Sequence, residues 1–147
     1  MKREAGFTLV ELMVVIAILG ILAVTAIPLV GTYRQRAYGA QATTLAKQLI
    51  DGQIMYYLAN DKFFPDETDP PILIPRETAS PNTDAADISA KLNVPIPLNG
   101  VFEYSFTNNP ASKSVVIIIT APFKIFKTGS FHVFVELFND GVTKYYD

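Results

Sequence analysis

The sequence predicts an α+β fold in which one long N-terminal helix packs on a C-terminal antiparallel sheet of about four strands. Three observations lead to this class. An apolar run at 7–30 is long enough for a membrane-spanning helix, and apolar residues then recur at helical spacing to residue 60 as an amphipathic half. Short alternating segments separated by turn residues fill 101–147. With 147 residues, the chain has room for one small domain beside its apolar segment.

The first element is the apolar run. From Phe7 to Val30 there are 24 residues with one charge, Glu11. As a helix this run reaches roughly 36 Å, and the hydrocarbon layer of a bilayer is about 30 Å thick. Lys2 and Arg3 precede the run, and basic residues mark the cytoplasmic side of a membrane helix. We therefore expect a single-pass membrane helix, with a cytoplasmic N-terminus and the folded domain on the other side of the membrane.

Glu11 is the informative residue in this run, because a carboxylate in hydrocarbon is costly and usually has a partner. If the chain were cut between Gly6 and Phe7, the new α-amino group would lie about one helical turn from Glu11. The pair could form within one chain, or between an incoming subunit and the Glu11 of a neighbour. An ion pair in low dielectric is strong only when both partners are present. Such a pair would fix the axial register of one subunit on the next.

The segment KREAGFTLVE at 2–11 resembles the class III signal of type IV pilins and type II secretion pseudopilins. The resemblance covers roughly the first 60 residues. It implies that a prepilin peptidase cuts after Gly6 and N-methylates Phe7, and that the fold is pilin-like. The corresponding divisions are 1–6 (leader), 7–30 (transmembrane and assembly helix) and 31–147 (globular domain), the last made of a helix at 31–60, proline-rich loops at 61–100 and the sheet at 101–147.

Two simpler interpretations of the same stretch stay open. A basic start followed by an apolar run also describes an ordinary secretory signal, with Val24-Thr25-Ala26 as its cleavage site. It equally describes a plain single-span anchor. The acid inside the run and the junction between Gly6 and Phe7 favour the pilin-like interpretation over both.

Pro28 lies near the end of the run and removes one backbone donor, so we expect a kink or local melting at 23–31. It is also a candidate assembly residue, because a compliant point would let subunits pack in a curved fibre. Beyond it, polar residues such as Gln53 mostly fall outside the apolar stripe, and Gly39 and Gly52 should weaken the helix locally. The stripe consists of Tyr38, Ala42, Leu45, Leu49 and Tyr56, with Ala46, Ile50, Ile54 and Tyr57 beside it.

Asn60, Asp61 and Pro65 end the helix, and aromatic residues on both sides of this point should fasten the following loop over it. Residues 66–100 are rich in proline, which predicts surface loops, with one short helix at 84–92. The apolar run within 114–121 suits a strand that is covered on both faces. The four strand candidates are 101–107, 114–121, 130–138 and 142–146.

Patterns for catalysis or cofactor binding are absent from the sequence, which has no P-loop, nucleotide-binding glycine motif, zinc-ligand spacing or GxSxG. His132, the one histidine, is expected on a sheet face. The acidic residues at 61–69 lack a defined calcium-ligand spacing and should form a solvated loop. We therefore expect no enzyme activity, cofactor or metal. Without cysteine, packing alone must hold the C-terminal region, and a net charge of −2 does not indicate nucleic-acid binding.

The sequence therefore predicts a structural subunit of a type IV pilus-like filament, in which Phe7 and Glu11 pair while the apolar helices bundle. The resemblance implies several partners: further copies of the chain, minor pilins, a prepilin peptidase, an assembly platform protein and an ATPase. The inner membrane would hold the subunit before assembly, and the product would be an extracellular pilus or a periplasmic pseudopilus. Two alternatives are a pseudopilin of a type II secretion system and a membrane-tethered periplasmic binding module that does not assemble.

Overall fold

The computed structural model of the chain describes residues 6–77, 82–98 and 100–146. They form two α-helices and an antiparallel sheet of five strands, so the α+β prediction is confirmed with one strand more than expected. The elements in chain order are α1 (Leu9–Asn60), β1 (Ile72–Ile74), α2 (Thr83–Leu92), β2 (Glu103–Asn109), β3 (Ser114–Thr120), β4 (His132–Phe138) and β5 (Thr143–Tyr146). The chain divides into two compact units, with the boundary after Gln35.

In the first unit, α1 exposes its apolar side chains on every side. Leu12, Ile16 and Ile21 are all exposed, and none of the most apolar stretch of the helix is buried. Among the described residues, α1 is the one helix long and apolar enough, by length and composition alone, to cross a membrane. Of the kink or local melting expected at Pro28, the melting does not occur, since the helix continues through this residue. Proline removes a single donor, and the hydrogen bonds of the flanking turns maintain the helix.

In the second unit, the apolar stripe of α1 and one face of the sheet form a single core. Ala42, Ala46, Leu49 and Ile50 are buried in it, and the aromatic members of the stripe pack around them, which confirms the predicted periodicity. The sheet contributes the inward-facing side chains of its three long strands. They are Tyr104, Phe106, Val115, Ile117, Ile119, Val133, Val135 and Leu137.

The sheet has the strand order β1-β2-β3-β4-β5, with every neighbouring pair antiparallel. Its central inward row places Phe106 opposite Ile117 and Ile117 opposite Val135. The expectation that β3 is covered on both faces is wrong. Its burial alternates, and Val116 and Ile118 are only half-buried on the outer face, because α1 covers one side of the sheet and no described element covers the other.

Two segments within 66–100 contribute to the core, contrary to the expectation of surface loops. Ile72–Ile74 forms the edge strand β1, which pairs with β2 and buries Ile74. After α2 (the predicted short helix, observed at Thr83–Leu92), Val94 and Ile96 are also buried. Proline excludes regular structure at its own position, but the apolar residues between prolines still lose contact with water by packing.

Gly39 and Gly52 are close-packing points rather than weak points of α1. A Cβ atom on Gly39 would lie 2.6 Å from the backbone oxygen of Ile125. One on Gly52 would lie 2.6 Å from the backbone oxygen of Leu92 at the end of α2. The backbone at Ile125 and the backbone at the end of α2 thus approach α1 more closely than a side chain at these two positions would allow.

The loop after α1 is fastened to the helix by a buried amide and two aromatic pairs. Gln53, which is 0% exposed, donates from Nε2 to the backbone oxygen of Phe64, and the Phe64 N–H donates to its Oε1 at 3.1 Å. Tyr57 packs on Phe63 with ring centroids 4.6 Å apart, and Tyr56 packs on Phe64 at 5.9 Å. The predicted aromatic fastening is confirmed. The expectation that Gln53 lies outside the packed face is wrong, because its amide satisfies a backbone that would otherwise be unpaired.

Candidate functional site at the N-terminus of helix α1

Helix α1 begins with a reciprocal pair of hydrogen bonds between Thr8 and Glu11. The Glu11 N–H donates to Thr8 Oγ1 at 3.2 Å, and the Thr8 N–H donates to Glu11 Oε2 at 3.4 Å. The Thr8 hydroxyl also lies 3.5 Å from the same carboxylate oxygen. This is a capping box, in which two of the unpaired donors at a helix start are satisfied by side chains three residues apart.

The capping box gives Glu11 a role within its own chain. The carboxylate accepts hydrogen bonds at the positive end of the helix dipole, where negative charge is favoured. The sequence carries the signal for this arrangement, since Thr8-Leu9-Val10-Glu11 fits the pattern of a threonine followed three residues later by an acid before an apolar run. Sequence reasoning that looked only for an ionic partner of Glu11 missed Thr8.

The other sequence-predicted site residues are distributed along the first unit. Gly6 and Phe7 precede the helix, and the Phe7 side chain is 82% exposed. Pro28 lies within the helix, 17 residues beyond Glu11, which is about 25 Å along its axis. The structure therefore brings Thr8 to Glu11 and leaves Pro28 apart. The rest of the expected leader, residues 1–5, lies outside the described residues.

The surface that follows Glu11 is suited to an apolar environment. Its exposed Leu, Ile, Val and Met side chains surround the helix rather than forming one stripe. A Cβ atom added to Gly20 or to Gly31 would have no other atom within 4 Å. A monomer in water would leave this contiguous apolar surface in contact with solvent, which soluble monomers rarely do.

Elsewhere, the described residues hold no group of three or more His, Cys, Asp or Glu placed to bind a metal ion. His132 lies half-buried on the outer face of β4, as expected. In the acidic loop, Lys62 and Asp66 form an ion pair. Its hydrogen bond lowers the pKa of Asp66 and raises the pKa of Lys62. Both groups are exposed, so solvent screens the pair and it contributes little to stability.

Comparison with known proteins gives a family match at the N-terminus and several similar proteins. A family described as the prokaryotic N-terminal methylation motif matches residues 1–27. A type IV major pilin protein PilE1 of Neisseria gonorrhoeae is 35% identical over 113 residues, which are 76% of this chain and 48% of that protein. The type IV major pilin protein PilA of Myxococcus xanthus is 41% identical over 61 residues, covering 42% of this chain and 28% of that protein.

A fimbrial protein of Moraxella nonliquefaciens is 53% identical over 49 residues, covering 33% of this chain and 32% of that protein. In each case the aligned part is less than half the length of the relative. No solved structure gives a significant match to the chain.

Proposed function

We propose that this chain, which belongs to the type IV pilin family, is the structural subunit of a type IV pilus-like filament. The observation that carries the proposal is the combination of the methylation motif at 1–27 with a carboxylate held at the start of an otherwise apolar, exposed helix. The apolar part of α1 in the first unit is exposed on every side, and the same part of other copies can cover it.

In this proposal, Thr8 and Glu11 first form the capping box within a precursor that is anchored in the inner membrane. Cleavage between Gly6 and Phe7 then creates an α-amino group at Phe7, which is N-methylated. During assembly, Glu11 exchanges its hydrogen bonds to Thr8 for the amine of a neighbouring subunit. The neutral capping donors hold the carboxylate before assembly, and the charged amine binds it more strongly in low dielectric.

The processing and assembly partners are proposed on the same basis. A prepilin peptidase cuts and methylates the precursor, and an assembly platform protein with its ATPase moves subunits from the membrane into the filament. Minor pilins join the same assembly. Pro28 lies where helices from several subunits would pack, and its missing donor makes that turn easier to bend. The filament lies outside the inner membrane.

A pseudopilin of a type II secretion system is the second candidate, because the N-terminal segment on which the proposal depends is shared by both classes. Filament length and abundance separate them. A membrane-tethered binding module is the third. That alternative needs the helix only as an anchor, so it predicts that Glu11 can be replaced without consequence.

Replacement of Glu11 tests the proposal directly. Glu11→Ala removes the carboxylate and the capping acceptor, whereas Glu11→Gln keeps an oxygen that can accept from Thr8 but removes the charge. We expect both variants to remain membrane-bound and folded, and both to lose most of the filament that can be sheared from cells. Glu77→Gln, the same replacement at an exposed glutamate after β1, is the matched control. Normal filament yield from Glu11→Gln would contradict the proposal and favour the tethered binding module.

A further inference from the structure

The second unit has charges of opposite sign at its two ends. One end is the loop between β3 and β4, and the other is formed by the loop after α1 together with two β-turns. Along α1 the two ends are marked by Gly39, which contacts Ile125, and by Asp61, which follows the helix. These positions are 22 residues apart, which is about 33 Å of helix.

The basic end is a rigid loop. Residues 122–129 contain Lys124 and Lys127 and no acid. The loop is held by backbone hydrogen bonds, from Ile125 N to Ser130 O at 2.9 Å and from Gly129 N to Phe126 O at 3.1 Å. Ile125 is buried between the two lysines in sequence, and both lysines are exposed. The loop therefore presents two positive charges from a fixed backbone.

The acidic end is concave. A polar cavity of about 310 Å³ lies between the loop after α1, the β2–β3 turn and the β4–β5 turn. An adjoining apolar cavity of about 240 Å³ shares Tyr57, Phe63 and Asn139 with it. We call the two together the acidic cleft. Residues 61–69 on its rim carry four carboxylates and one lysine. Lys113 also lines the polar cavity and Asp140 lines the apolar one, so five carboxylates face two lysines and this end keeps a net charge of −3.

The charges at both ends are available for a partner. In the described part of the chain, the one ion pair joins Lys62 and Asp66. Asp61 and Glu67, which line the polar cavity, therefore have no ion-pair partner there, and neither do Lys124 and Lys127. The acidic cleft and the basic loop lie at opposite ends of a helix segment of about 33 Å. Salt screens charges over that distance, so the two ends cannot neutralise each other within one copy.

We propose that the acidic cleft of one copy receives the 122–129 loop of the next copy, so that the second units associate head to tail. This inference rests on the proposed filament and names the contact between its subunits outside the apolar helices. Two different patches at opposite ends form a heterologous contact, which extends into an open chain unless the rotation closes a ring. The apolar cavity beside the acids provides contact area, and the charges set orientation and register.

Charge reversal in the full-length chain tests the contact. Lys124→Glu with Lys127→Glu makes the loop acidic, and Asp61→Lys with Glu67→Lys makes the cleft basic. Each pair of changes alone places like charges together, and we expect it to lower the yield of sheared filament by at least about tenfold. The four changes combined restore opposite charges in the reverse sense, and we expect most of the yield to return. Lys47→Glu with Lys91→Glu is the matched control for the loop pair, since it makes the same change in net charge at exposed positions elsewhere.

Disulfide trapping gives an independent measurement, because the chain contains no cysteine. A chain with both Lys127→Cys and Glu67→Cys should give a ladder of multimers when sheared filaments are oxidised. Each single variant should give no species larger than a dimer. Suppose that the unaltered chain forms filaments. Unchanged yield in both reversal pairs, or the absence of a ladder, would then overturn the head-to-tail contact alone. Absence of filaments from the unaltered chain would overturn the proposed function and this contact with it.

Discussion

Gln53 provides the sharpest test of how the second unit is held together. Gln53→Leu keeps a side chain of similar size in a fully buried position but removes both hydrogen bonds to the Phe64 backbone. The N–H and C=O groups of Phe64 then lack partners in a half-buried site. Because an unsatisfied backbone group costs about 1–3 kcal/mol, and Phe64 is not fully enclosed, we expect a loss of about 2–3 kcal/mol in the free energy of unfolding.

The assay is denaturant and thermal unfolding of the full-length chain in detergent, followed by circular dichroism. A loss of this size corresponds to a fall of roughly 10 °C in Tm for a unit of this length. Gln48→Leu, on the same helix but exposed, is the control and should change stability little. Hydrogen exchange at the Phe64 amide should accelerate in Gln53→Leu. A change below about 0.5 kcal/mol, as at an ordinary surface site, would refute the reasoning.

Three further predictions concern the same unit. Gly52→Ala places a methyl group 2.6 Å from the backbone oxygen at the end of α2 and should cost about 1–3 kcal/mol in unfolding, whereas Gly31→Ala, with nothing within 4 Å, should cost nothing. Burial raises the pKa of Tyr104 to about 12, so the stability that the neutral phenol contributes is present below pH 10 and is lost as pH rises toward 12. In thermal unfolding measured over a pH series, Tyr104→Phe should therefore lose less stability at alkaline pH. Asn82→Ala removes the acceptor for the Ala85 N–H at the start of α2 and should lower stability by about 1 kcal/mol, measured by urea unfolding.

The fold was predictable where side-chain periodicity was strong. The stripe on α1 and the alternation of β2 and β4 each specify one buried face, and the structure confirms them. β1 was not predictable, because three residues between prolines carry too little pattern to be distinguished from a loop. The role of Gly52 was hidden for another reason: it depends on a backbone segment about 40 positions away that approaches α1 only in the folded chain.

The N-terminal site shows a similar division. The acid inside an apolar run is visible in the sequence because its chemistry conflicts with its surroundings. The capping box is also visible there, since Thr8 stands three residues before Glu11 and its donors are neutral rather than charged. The charge separation of the second unit requires the fold, because residues 61–69 and 122–129 become opposite ends only when α1 and the sheet set their distance.

The central claim is that this chain is processed at Gly6 and assembled into a filament. Mass spectrometry of the N-terminus tests it, applied separately to filaments sheared from cells and to membranes. The account predicts that an N-methylated Phe7 start is a main component of the sheared filaments. The same start confined to membranes would favour a pseudopilin or minor subunit. An intact Met1, or a start at Ile27 after an ordinary signal cleavage, would contradict the account together with the assembly role of Glu11.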